Sequence, residues 1–207
     1  MTEAGYYRFP SINGKVVVFS CEGDLWAVPA TGGLARRLTA NPGEADRPAL
    51  SPNGQLLAFT GRDEGHAEVC CMPSEGGPAR RLTFLGADSA VAGWTPDGAS
   101  IVFSSNAGQA FPRLYYLYAL SPNGGQPARL PVGAALDISF RLLPGSGGMV
   151  IARNVTDIAF WKRYRGGRTG DLWVDPSGSG DWRRLIRLKG HHPHLRSRSN
   201  PGQYTAQ

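Results

Sequence analysis

The sequence predicts an all-β fold, and three observations predict it. Apolar residues come in short runs, not in the long stripes of amphipathic helices. Glycine and proline are frequent, 28 and 16 of 207 residues, which supplies many chain reversals. A short unit also recurs: Ser51-Pro52-Asn53-Gly54 feeds Gln55-Leu56-Leu57-Ala58-Phe59, and Thr95-Pro96-Asp97-Gly98 feeds Ala99-Ser100-Ile101-Val102-Phe103. Ser11-Ile12-Asn13-Gly14 before Lys15-Val16-Val17-Val18-Phe19 says the same without the proline. Pro presets the first φ of a tight turn, and Asn or Asp before Gly supplies the positive φ it needs. The apolar run ending in Phe reads as a buried strand.

Each unit is followed by a second short strand, a Gly-Gly turn and an Arg-Leu strand. In the first copy these are Asp24-Leu25-Trp26-Ala27-Val28, Thr31-Gly32-Gly33 and Arg36-Arg37-Leu38-Thr39. The second has Glu68-Val69-Cys70-Cys71-Met72, Glu75-Gly76-Gly77 and Arg80-Arg81-Leu82-Thr83. The third is placed at Leu114-Tyr115-Tyr116-Leu117-Tyr118, Asn123-Gly124-Gly125 and Ala128-Arg129-Leu130-Pro131. A degenerate fourth ends in Asp171-Leu172-Trp173-Val174 and Arg183-Arg184-Leu185-Ile186. The remaining strand of each unit precedes the turn: Arg47-Pro48-Ala49-Leu50, Val91-Ala92-Gly93-Trp94 and Ile138-Ser139-Phe140.

Gly14, Gly54 and Gly98 lie 40 and 44 apart, and Leu38, Leu82, Leu130 and Leu185 lie 44, 48 and 55 apart. A period of roughly 40–50 residues with about four strands each is the mark of a β-propeller blade. A lone four-stranded sheet wets both faces, and stacking blades around an axis buries them. The expectation is therefore four blades, at residues 5–39, 44–83, 90–131 and 136–187. Loops at Ser105 to Arg113 and Thr156 to Gly170 lengthen the later periods.

No stretch approaches the roughly 18 apolar residues of a membrane-spanning helix. Met1 to Pro10 has no apolar signal core, so a cytoplasmic location is expected. Cys21, Cys70 and Cys71 form neither a disulfide framework nor a metal knuckle, and read as small buried thiols on strands. The formal charge of +6 is unevenly spread: residues 1–110 carry 8 basic and 11 acidic groups, residues 111–207 carry 14 and 5. That is not the evenly basic face of a nucleic-acid binder. After Arg187 the blade pattern stops, and residues 188–207 are basic and irregular with three of the four histidines. Two explanations stay open, a disordered basic tail or loss of the reading frame near residue 188 in a truncated chain.

The sequence offers no catalytic constellation. A nucleophile elbow, an HExxH pair, a phosphate loop and a dinucleotide fingerprint are all missing, so neither catalytic residues nor a cofactor is assigned. His66 sits in the polar stretch Gly61-Arg62-Asp63-Glu64-Gly65-His66, which reads as a solvated turn. His191, His192 and His194 could ligate a transition metal, but no carboxylate or thiol stands near them, and no metal is assigned. Phe160 to Arg168 interleaves aromatics with base. Lys162, Arg163, Arg165 and Arg168 are the candidate contacts for a carboxylate or peptide, since guanidinium pairs with carboxylate in two-pronged fashion. The competing reading is a long loop whose cations face water.

The Ser-Pro-Asn-Gly and Gly-Gly-x-x-x-Arg-Leu-Thr phrasing resembles propeller repeats of the TolB type, shared by tricorn-type peptidases. Phe9 to Phe19 with Asp24-Leu25-Trp26 is similar to the first tricorn blade. Trp161 to Arg168 followed by Gly170-Asp171-Leu172-Trp173 is similar to a tricorn segment in the same place. The resemblance covers residues 5 to about 187. It implies the first four blades of a six-bladed N-terminal propeller in a cytoplasmic, oligomeric serine peptidase that degrades oligopeptides. There the propeller is a channel for peptides, and the catalytic domains, absent from this chain, are its partners. The family also anchors peptide C-termini with basic residues of the propeller region. Phe84 to Ala90 has no basic pair, so no anchor is assigned here. The runner-up is a free-standing TolB-like propeller serving as a protein-interaction module. A nucleic-acid binder using the Trp161–Arg168 loop and the tail ranks below both.

Overall fold

The computed structural model describes residues 5–40, 42–140, 147–153 and 170–186. Among them, sixteen strands build four antiparallel four-stranded sheets, each a simple meander. The first blade holds β1 (Arg8–Asn13), β2 (Val16–Cys21), β3 (Asp24–Pro29) and β4 (Arg36–Arg37). The second holds β5 (Ala45–Leu50), β6 (Leu56–Gly61), β7 (Glu68–Pro73) and β8 (Arg80–Arg81). The third holds β9 (Ser89–Trp94), β10 (Ile101–Ser105), β11 (Tyr116–Leu120) and β12 (Ala128–Ala134). The fourth holds β13 (Asp137–Phe140), β14 (Met149–Arg153), β15 (Asp171–Asp175) and β16 (Arg183–Ile186). The first strands converge, β1 on β5, β5 on β9 and β9 on β13, so they are the inner strands of a β-propeller.

The recurring turn explains itself. The Ser51 carbonyl accepts from Gly54 N at 2.8 Å, and the Asn53 side chain accepts from the Ser51 hydroxyl at 2.7 Å and Gln55 N at 3.1 Å. Leu56 N then donates to the Ser51 hydroxyl at 2.9 Å. Thr95, Asp97, Ala99 and Ser100 repeat this set, with Asp97 accepting from Thr95 Oγ1 at 2.6 Å and Ala99 N at 3.0 Å. The two donors hold the Asp97 carboxyl below its ordinary range. Gly54 and Gly98 take φ of 73° and 71°, where a side chain would strain the turn.

Packing follows the alternation of side chains along a strand. Leu57 and Phe59 face the first blade, meeting Val18, Leu25 and Ala27. Ala58 faces the other way, and with Val69, Cys71 and Leu82 it meets Ile101, Phe103 and Trp94. Val102 and Leu117 in turn meet Ile138 and Ile151 of the fourth blade. The central strands are therefore apolar on both faces over runs such as Leu56 to Phe59 and Ile101 to Phe103, because both faces are covered. Phe59 and Phe103 are 1% and 0% exposed, and each contributes on the order of 2–3 kcal/mol of transfer free energy.

One expected strand shifts. Phe19 pairs Trp26 and Phe59 pairs Cys70, but Phe103 pairs Tyr118. The third strand of the third blade is thus Tyr116–Leu120, two residues later than Leu114 to Tyr118. The preceding loop is longer than expected and closes through Gln109 N to Asn106 O at 3.1 Å and Leu114 N to Phe111 O at 3.0 Å. A run of Leu and Tyr alternates equally well in either register, so it carries no mark of its own start.

Candidate functional site

The strongest repeated chemistry lies on the outer strands and is structural. Thr39 Oγ1 donates to Asp24 at 2.9 Å and accepts from Leu25 N at 2.9 Å, while Arg37 pairs with the same carboxylate. Thr83 repeats this with Glu68, accepting from Val69 N at 2.8 Å, and Arg81 joins Glu68 at 3.3 Å. Gly86 N donates to Glu68 at 3.1 Å, so this 1% exposed carboxylate is fully partnered. Arg184 pairs with Asp171 in the fourth blade. In the third, Tyr116 stands where the acid would be, and Arg129 stacks on its ring. The threonines complete a ladder that the two-residue outer strands leave short.

A shallow cleft of about 290 Å³ opens beside this group in the second blade, lined by Glu64, His66, Glu68, Arg81 and Phe84 among others. Arg81 lies 4.6 Å from the ring centre of Phe84, which is 74% exposed. His66 is exposed in its turn, as a solvated loop residue would be. Among the described residues no cluster of His, Cys, Asp and Glu could hold a metal ion. Among the described residues no helix is long and apolar enough to cross a membrane. All three cysteines are free, Cys70 and Cys71 buried and Cys21 half-buried. Burial pushes the Cys70 thiol up to about 11 and raises that of Cys71 as well.

The arrangement best suited to a ligand lies where the inner strands begin. There β1 and β5 each break their ladder, between Arg8 and Ser11 and between Asp46 and Ala49. Each break holds an X-Pro step, Phe9-Pro10 and Arg47-Pro48, at a place where β9 breaks without proline and where the missing N–H of Pro is tolerated. Phe9 and Arg47 take φ of 50° and 49°, an uncommon conformation for a residue with a side chain and a disfavoured one before proline. The result is a cross-blade cluster. Arg47 sits 4.8 Å and Arg8 5.7 Å from the Phe9 ring centre, and Arg8 also lies 5.6 Å from that of Tyr6.

Asp46 lies within the field of Arg47, Arg62 and Arg8, yet its Oδ1 is buried without a hydrogen-bond partner. Burial raises its carboxyl above the ordinary range, outweighing the three arginines that act to lower it. Arg8 Nε and Ser20 Oγ are likewise buried and unpartnered. Around the rim, Arg62 reaches Asp88 at 4.0 Å, and burial together with Asp88 raises the Tyr115 hydroxyl. The candidate contacts Lys162, Arg163, Arg165 and Arg168, and the residues from 188 onward, lie outside the described residues. The sequence reading passed over Arg8, Asp46 and Arg47. Two X-Pro steps, Arg47-Pro48 inside an expected inner strand and Phe9-Pro10 at the head of the first repeat, were the signal that could have found them.

The family model for the tricorn protease N-terminal beta propeller domain matches residues 4–195. A tricorn protease homologue of Streptomyces coelicolor is 38% identical over 182 residues, which is 87% of this chain and 17% of that protein. A chain named as a tricorn-like protease N-terminal subunit, from Sulfurisphaera tokodaii, is 31% identical over 82% of this chain and 86% of its own length. The crystal structure of the tricorn protease superposes with a TM-score of 0.77 at 27% identity, covering 90% of this chain and 19% of that one. The chain thus spans about a sixth of the full-length relatives and most of the Sulfurisphaera subunit. With its blade repeat, its inner-strand axis and a family match over nearly all of its length, this chain belongs to the tricorn protease N-terminal β-propeller family.

Proposed function

We propose that this propeller is the non-catalytic channel module of a cytoplasmic, oligomeric serine peptidase of the tricorn type, through which oligopeptides pass. The observation that supports this most is the family match over residues 4–195. Inner strands that converge on an axis suit a passage, and the charged groups Arg8, Asp46 and Arg47 gather at one end of it. Lys162, Arg163, Arg165 and Arg168 take the role of contacts for peptide carboxylates. Hydrolysis itself is assigned to other domains.

The test uses a tricorn-type peptidase whose own N-terminal propeller has been deleted. Adding this chain should change the length range of the oligopeptides it degrades, and the chain alone should degrade none. Cleavage by the pure chain that persists after chromatographic removal of contaminating peptidases, or an unchanged length range, would refute the reading. A second reading is a propeller made as its own chain that serves as an interaction module. The match over most of the Sulfurisphaera N-terminal subunit favours it. Stable complex formation with separately produced tricorn domains, without any change in peptide selection, would support that reading over the first.

A further inference from the structure

We infer that Arg8, Arg47 and Ser20 form a binding site for a small oxyanion, a carboxylate or a phosphate group, where the inner strands of the first two blades meet. The backbone argument comes first. Thr60 Oγ1 accepts Val91 N at 3.0 Å, joining the second blade to the third, and Val91 stands opposite Phe103. Opposite Phe59 the same place in β5 is held by Arg47, whose N–H makes no bond to Ser20. Ser20, the counterpart of Thr60, is 0% exposed and its hydroxyl has no partner. The molecule thus forgoes an inter-blade hydrogen bond and keeps two left-handed residues before prolines. Such features persist where the position they enforce has a use.

What they enforce is the placement of two guanidiniums on one ring. A guanidinium that lies over an aromatic face keeps its in-plane N–H donors free for a planar or tetrahedral oxyanion. Among the described residues no carboxylate pairs in contact with Arg8 or Arg47, and Arg8 Nε is buried and unused beside Ser20, its partner across the ladder. The charged neighbours are Asp46, whose Oδ1 is buried without a partner, Glu44, and Arg62, which is engaged with Asp88. Arg8 Nε and the Ser20 hydroxyl are thus buried donors without an acceptor, and Arg47 lies over the same Phe9 ring as Arg8. The site needs no peptidase domain to form and stands whether or not the propeller conducts peptides.

The experiment titrates the whole chain with sodium phosphate, and separately with sodium acetate, against sodium chloride at constant ionic strength. Thermal shift and backbone amide chemical shifts are read together. Saturable stabilisation by at least one of the two oxyanions is expected, with chemical-shift changes centred on residues 8–9, 20 and 46–47. Arg8→Gln and Arg47→Gln should each weaken it by about tenfold, the loss of a charge-assisted donor set. Asp46→Asn should strengthen it, because the neighbouring negative charge is gone. Arg47→Gly relaxes the left-handed position, so it should raise Tm while losing the response, which keeps the test valid if the Gln variants fold poorly. Saturation by phosphate assigns a tetrahedral ligand, and saturation by acetate alone assigns a carboxylate. A response no greater than that to chloride, or one that survives substitution of both arginines, overturns the site and leaves the orphaned atoms to bound water.

Discussion

Replacing Phe103 with alanine tests the claim that blade stacking is what holds this molecule together. Phe103 is 0% exposed and lies between Ala58, Val69 and Leu82 of the second blade and its own neighbours Val91 and Tyr118. Its ring is offset-stacked on Tyr118, centroids 5.6 Å apart. Deleting a fully enclosed Phe removes its transfer free energy and leaves a cavity, about 3–5 kcal/mol in total. Phe19 occupies the same repeat position in the first blade, yet it is only half-buried and meets Tyr7 edge-on at 5.2 Å. Phe19→Ala should therefore cost roughly 1–2 kcal/mol, part of a transfer term with little cavity behind it. The assay is urea unfolding of both variants, compared by midpoint and slope. Domain stability is about 5–15 kcal/mol, so Phe103→Ala should leave a marginal fold. If it is too unstable to measure, Phe103→Leu, at about 1–1.5 kcal/mol, stands in for it. Equal losses at the two positions would mean that the stacked faces are not the source of stability.

Thr83→Val should cost about 1–3 kcal/mol, because Val69 N and the buried Glu68 carboxylate both lose a partner; Thr39→Val should cost less, since Asp24 is more open to water, and urea midpoints decide the order. Asp175 is pushed up by burial but held below its ordinary range by the N–H groups of Gly180, Ser177, Gly178 and Ser179. Its stabilising contribution is present above the ordinary Asp value of 3.8 and fades as pH falls through the lowered one, so Asp175→Asn should flatten acid unfolding there. Asp46 is shifted the other way, so its contribution is full below 3.8 and fades as pH rises through the raised value. Asp46→Asn should accordingly raise Tm at neutral pH, and the gain should vanish in acid; a constant gain would refute the burial argument. A thiol reagent at pH 8 should label at most Cys21 in the native chain and all three cysteines after denaturation, because Cys70 and Cys71 are buried with raised thiols.

Local chemistry wrote much of this fold openly. Ser51-Pro52-Asn53-Gly54 and Thr95-Pro96-Asp97-Gly98 specify their turns through bonds spanning at most five residues, so the turns could be read without knowing what packs on them. The run Leu56 to Phe59 announced a strand covered on both faces. The start of β11 was not legible, because Leu114 to Tyr118 satisfies the alternation in two registers and only pairing with Phe103 selects one. The basic stretch from Trp161 drew attention as a contiguous motif, whereas the axial cluster left only two X-Pro steps as its trace.

The repeat, its turns and its four-strand unit were determined by the sequence itself, since each rests on contacts between residues close along the chain. The pairings of Thr39 with Asp24 and of Thr83 with Glu68 join residues 15 apart within one blade, between strands that the repeat had already marked. Only the tertiary structure decided that Arg47 lies over Phe9, that Arg8 joins it, and that Ser20 is left without the donor its counterpart enjoys. Arg47 stands almost forty positions from Arg8 and Phe9, one blade from the next. What brings them together is the convergence of inner strands on an axis, and no local preference encodes that.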